Sequence, residues 1–125
     1  MRVLLIDNVT TGHHISYAKA LGDTNEYTSI YFFPNQCKEL DEKKIIIMKN
    51  QPNSFINYIM WIKEILCVAK LEKIDIIHFL YGDILYKFWG IGLEILSKYR
   101  VIATFHQVRR SFLRDLSRKL ILKKN

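Results

Sequence analysis

Five short apolar runs, separated by turns and helix-like stretches, constrain this chain more than any other feature of it. They cover residues 2–7, 27–33, 45–48, 75–80 and 101–105. In runs such as Val3-Leu4-Leu5-Ile6 the aliphatic residues follow one another without polar alternation. That pattern suits strands covered on both faces, as in parallel sheets. Between the runs lie segments with helical spacing. Residues 13–21 place Ile15, Ala18 and Leu21 on one face, with Gly22 as a stop. Residues 55–73 follow Pro52-Asn53-Ser54, a breaker and a cap. They are dense in apolar positions (Phe55, Ile59, Ile62, Ile65, Leu66, Ala69), with Lys63, Lys70 and Lys73 toward solvent. Residues 84–97 read as a third helix, interrupted by Gly90 and Gly92, and residues 109–124 as a fourth. The order β-α-β-β-α-β-α-β-α predicts a mostly parallel sheet with helices on both faces.

The expected architecture is therefore a Rossmann-like, three-layer α/β/α domain of about five strands. Its 125 residues suffice for one domain, residues 1–125, and are too few for two ordinary ones. Half of the chain is apolar and a quarter charged, enough for a core without staples. Cys37 and Cys67 match no metal or redox spacing and are expected to be reduced packing residues in a cytoplasmic protein. The most hydrophobic long stretch, residues 55–71, is interrupted by Asn57, Lys63, Glu64 and Lys70, so no membrane span is expected. The net charge of +7 is unevenly placed. Nine basic residues within 98–125 face a single acid, Asp115, while residues 1–97 carry a slight acidic excess.

In sheets of this kind ligands bind outside the carboxyl ends of the strands. Three loops there carry candidate residues: Thr10-Thr11-Gly12-His13-His14, Tyr81-Gly82-Asp83 after His78, and His106-Gln107-Val108-Arg109. All four histidines fall at or beside these ends. The first loop opens a helix, where backbone amides and the helix dipole favour an anion and Gly12 permits close approach. The alternative is that Thr11 merely caps the helix and Gly12 eases the turn. Neither the dinucleotide fingerprint nor a P-loop is present, so no cofactor is expected. No metal-ligand spacing is legible. His78, inside a strand, reads as a core histidine bonded to a neighbouring loop. His106, just past a strand end, would face the crevice and could hold a hydroxyl or phosphate, or move a proton.

Taken together, these loops resemble the N-terminal domain of GT-B glycosyltransferases, especially the retaining family-4 enzymes. Residues 1–6 followed by Thr11-Gly12-His13-His14-Ile15-Ser16-Tyr17-Ala18-Lys19-Ala20-Leu21 look like that family's opening strand, glycine loop and first helix. Asp75-Ile76-Ile77-His78 looks like its D-[IV]-[IV]-H strand, and Ala103-Thr104-Phe105-His106 like its T-x-H strand end. The resemblance implies a catalytic His106 positioning the transferred sugar and places Gly12 near the donor diphosphate; Thr11, His13, Tyr81, Gly82 and Arg109, on the same strand-end loops, are the other expected substrate-binding residues. It implies a nucleotide-sugar donor held mainly by a C-terminal domain absent from these residues, and a glycan or lipid-linked acceptor. Alone, residues 1–125 are expected to be inactive. Two departures stand out: Thr11 replaces the first of the family's usual paired glycines, and no E-x7-E motif is present.

Residues 109–120 place Phe112, Leu113, Leu116 and Leu120 on one helical face and Arg110, Arg114, Arg118 and Lys119 around the rest. This is either an ordinary packed helix with a solvated basic side or a surface attracted to an anionic membrane. The second reading makes the protein peripheral on the inner membrane face. Nucleic acid is not an expected partner, because the basic segment has no interleaved exposed aromatics. Two functional expectations follow: a sugar-transferase domain forming the acceptor side of a cleft, or a non-catalytic subunit recruiting a catalytic partner to a membrane. A reading frame running past Asn125 into an E-x7-E motif favours the first, and a stop codon with a separate partner gene the second. A receiver-like domain would need clustered acids and a following lysine, which are missing.

Overall fold

A computed structural model describes residues 1–11, 13–24 and 27–105. Within them lie five strands: β1 (Arg2–Ile6), β2 (Thr28–Phe33), β3 (Ile45–Ile47), β4 (Ile76–Phe79) and β5 (Arg100–Ala103). All pair in parallel, in the order β3-β2-β1-β4-β5, so the chain has a Rossmann-like α/β fold. The apolar runs are the reason. The central strands β1, β2 and β4 bury apolar side chains on both faces, while Ile47 of β3 and Ile102 of β5 stay partly exposed at the sheet edges.

The register builds two rows on one face. Val101, Ile77, Leu4 and Ile30 stand side by side, as do Ala103, Phe79, Ile6, Phe32 and Ile46. Against these rows packs α2 (Phe55–Leu71), together with α3 (Asp83–Lys87) and a 3₁₀ turn at Leu93–Leu96. The opposite face carries Val3, Leu5, Tyr31 and Phe33 under α1 (His13–Gly22). Ile15, Ala18 and Leu21 meet this face, as their spacing predicts. Gly22, the last residue of α1, lies so close to Tyr31 that an added Cβ would collide with the phenol oxygen. Here glycine is required by packing, since its side of the helix touches the sheet.

α2 begins where Ser54 accepts a hydrogen bond from the Asn57 amide at 3.2 Å, the expected cap. It ends at Leu71; two residues later Lys73, with φ 54°, turns the chain so that the Ile74 amide reaches back to the Ala69 carbonyl. The buried face of α2 differs from the expectation. Tyr58, Trp61, Ile62, Ile65, Val68 and Ala69 point inward, while Phe55 is 52% exposed and Cys67 lies on the solvent side. Cys37 is buried as expected; Cys67 is not a packing residue.

The helix expected over residues 84–97 is not continuous. α3 stops at Lys87, and Trp89, Gly90 and Gly92 all take positive φ before the 3₁₀ turn. Three left-handed residues within four positions cannot continue a right-handed helix. The helix expected at 109–124, including Arg110, Arg114, Arg118 and Lys119, lies outside the described residues. Among the described residues, no helix is long and apolar enough to cross a membrane.

Candidate functional site

β1 pairs with β2 on one side and β4 on the other, and the chain's strand order reverses there. A crevice opens outside the carboxyl ends at such a reversal, because the two flanking loops leave toward opposite faces. The residues leaving β1 and β4 at this point are Asp7-Asn8 and Leu80-Tyr81-Gly82.

Asp7 is the first residue beyond β1 and only 2% exposed. One carboxylate oxygen accepts the Val9 amide at 2.9 Å, tightening the loop into an Asx turn. The other accepts from His14 Nδ1, also at 2.9 Å. A buried carboxylate of this kind selects the imidazole's Nδ1–H form and fixes the ring's orientation. His14 in turn stacks on His13, with centroids 5.1 Å apart, and meets the edge of Tyr81 at 5.3 Å. The loops after β1 and β4 are thus joined through aromatic rings at the crevice. Thr10 adds a tie to the loop after β2 by donating to Asn35 Oδ1 at 2.8 Å.

Beside Asp7, the side-chain oxygen of Asn8 is buried and has no hydrogen-bond partner among the described residues. An orphaned acceptor at a strand end is uncommon in native structures and needs an explanation.

Thr104, just past β5, is a second junction. Its hydroxyl lies 2.9 Å from His78 Nε2 and 3.4 Å from the Tyr17 hydroxyl. His78 is therefore the loop-bonded strand histidine expected from its position, and burial lowers its pKa below the ordinary imidazole value. The Thr104 carbonyl accepts the Gly82 amide at 2.7 Å. A Cβ on Gly82 would fall 2.9 Å from that oxygen and 3.1 Å from Ala103 Cβ. Gly82 lets the β4 loop close onto the end of β5, a packing task that brings Tyr81 over the crevice.

Of the residues singled out by sequence, His13 and Tyr81 come together here, with Thr11 and Gly82 on the same loops. Gly12, His106 and Arg109 lie outside the described residues. Sequence reasoning missed the Asp7–His14 pair and Asn8. Asp7 resembled a polar stop to the first strand, and nothing local signals that the chain seven residues on returns to it. No group of three or more histidine, cysteine or acidic side chains among the described residues is arranged to hold a metal ion. An apolar trough of about 160 Å³, bounded by Val3, Leu21, Tyr27, Ile76, His78 and Ile102, runs along the α1 face and has few polar groups to orient a ligand. Comparison of the chain with known protein families, with curated proteins and with solved structures gives no match.

Proposed function

We propose that this chain is the acceptor-side domain of a GT-B-type glycosyltransferase, with the crevice between β1 and β4 receiving a glycan or lipid-linked sugar acceptor. One observation carries the reading: the buried Asn8 oxygen, without a hydrogen-bond partner among the described residues, beside a crevice walled by His13, His14 and Tyr81. A sugar presents hydroxyl donors along its edge and a C–H face above its ring. An amide acceptor suits the first and aromatic rings suit the second. The Asp7–His14 bond holds one of those rings in place, which lowers the ordering cost of binding.

The resemblance of the three loop motifs to family-4 enzymes supports the remaining assignments. In this reading His106 stands beside the transferred sugar, and Thr11 and Gly12 lie toward the donor diphosphate. Arg109 is assigned to substrate binding, and a C-terminal domain holds most of the nucleotide-sugar. The basic residues Arg110, Arg114, Arg118 and Lys119 face an anionic membrane carrying the acceptor.

Titration of the isotopically labelled 125-residue chain with mono- and oligosaccharides and with nucleotide-sugars tests the reading. Amide shifts clustered at Asn8, His14 and Tyr81 with a saccharide, and weak shifts with nucleotide-sugars, are expected. Absence of shifts with every sugar, or shifts confined to the amino ends of the strands, would overturn it. In a gene-length protein carrying both domains, His106→Ala should remove most transfer while folding survives.

A further inference from the structure

α2 has a solvent side that is unusually apolar. Ile56, Met60, Lys63, Cys67, Lys70 and Leu71 recur at spacings of three and four and share one helical face. Ile56 is 73% exposed, and Met60 and Leu71 are exposed with it. The helix's one acid, Glu64, is turned away and accepts the Lys49 and Asn50 amides. This outward stripe therefore carries lysines and no acid.

The first turns of α2 meet the irregular segment 88–92. Phe55 and Phe88 have ring centroids 6.5 Å apart, and Ile59 lies against Gly92. Trp89 and Ile91 add exposed apolar surface in the same segment. Trp89 is held at φ 55°, a conformation that bulky residues avoid, and the segment keeps its ring 43% exposed. Lys87 flanks the patch, its ammonium 5.6 Å from the Phe88 ring.

Apolar anchors interleaved with lysines suit a bilayer better than a protein partner. Protein interface cores are depleted in lysine, whereas at a lipid surface the lysine stems lie along the apolar zone and their ammonium groups reach phosphates. A tryptophan ring, apolar with one N–H, fits the headgroup boundary. We infer that the outward stripe of α2 and the 88–92 turn form a docking surface for an anionic membrane. Phe55, Ile56, Met60, Trp89 and Ile91 enter the acyl boundary, while Lys63, Lys70 and Lys87 contact lipid phosphates. None of its residues belongs to the basic segment 109–124, and it does not depend on sugar transfer.

The chain carries its own reporter. Its two tryptophans are Trp61, 1% exposed in the core, and Trp89. Mixed with phosphatidylglycerol vesicles, the 125-residue chain should sediment with them and show a blue shift of Trp89 emission and quenching by brominated lipid. Trp89→Phe should abolish the quenching. Ile56→Gln with Met60→Gln should lower partitioning by about tenfold or more, with the far-ultraviolet dichroism unchanged. Neutral vesicles should bind more weakly, and part of the binding to anionic vesicles should persist at high salt. The inference is overturned if the chain binds without quenching of Trp89, or if the glutamine pair binds like wild type while Arg114→Glu with Arg118→Glu does not. It is equally overturned if these residues drive dimerisation in solution and the chain ignores vesicles.

Discussion

Removing the Asp7 carboxylate should loosen the crevice by a predictable amount. Asp7→Ala takes away the acceptor for the Val9 amide and for His14 Nδ1, both at 2.9 Å. A hydrogen bond to a charged acceptor is worth about 1.5–3 kcal/mol. The Val9 amide, in a half-buried loop, regains water and recovers part of its bond, and the mutant no longer buries a carboxylate, which offsets more. The expected loss is about 2–3 kcal/mol. With a urea slope of about 1.5 kcal/mol/M for a chain of this size, the unfolding midpoint should fall by about 1.3–2 M. Asp7→Asn keeps an acceptor for Val9 and should lose about half as much. Because the carboxylate acts partly through His14, the two side chains should couple. A double-mutant cycle of Asp7→Ala and His14→Ala should return about 1–2 kcal/mol of interaction energy. If Asp7→Ala stays within about 0.5 kcal/mol of wild type, or the cycle closes without coupling, the pair does not organise the site.

Gly82→Ala should destabilise by about 1–3 kcal/mol, since its Cβ would press on the Thr104 carbonyl, and should weaken saccharide-induced shifts at Tyr81; wild-type stability in urea would contradict the close approach. Tyr58→Phe should raise stability by about 1 kcal/mol, because the buried Tyr58 hydroxyl finds no hydrogen-bond partner among the described residues while its ring stacks on Phe88 at 4.3 Å. A fall in the thermal midpoint would show that the hydroxyl is satisfied. His78 titrates below its ordinary 6.5 in the folded chain because burial disfavours the cation. The unfolded chain therefore binds the extra proton first, and stability is lost as pH falls below that value. His78→Gln should flatten the urea midpoint between about pH 7.5 and pH 5.5, and an unchanged slope would exclude His78 as the source.

Much of the architecture was legible before any tertiary contact was known. The five strands announced themselves as short apolar runs, unbroken over residues 3–6 and 45–48, and the Ser54 cap and Ile15/Ala18/Leu21 spacing marked two helices. These are local signals, set by backbone preference and by which residues avoid water. His78 could also be read as a strand histidine bonded to a neighbouring loop, since a half-buried imidazole needs a partner. What local pattern cannot carry was decided by packing. α2 is apolar nearly all round, so no period distinguished its faces, and only contact with the sheet turned Tyr58 and Trp61 inward and left Phe55, Ile56 and Met60 outside. The glycines at 90 and 92 hinted at an interruption, but Trp89's left-handed backbone came from the surrounding structure, because no bulky residue prefers it. Strand order is non-local altogether. β1 lies between β2 and β4 because hydrogen bonding joins segments more than seventy residues apart, and that adjacency is what sets Tyr81 against His14.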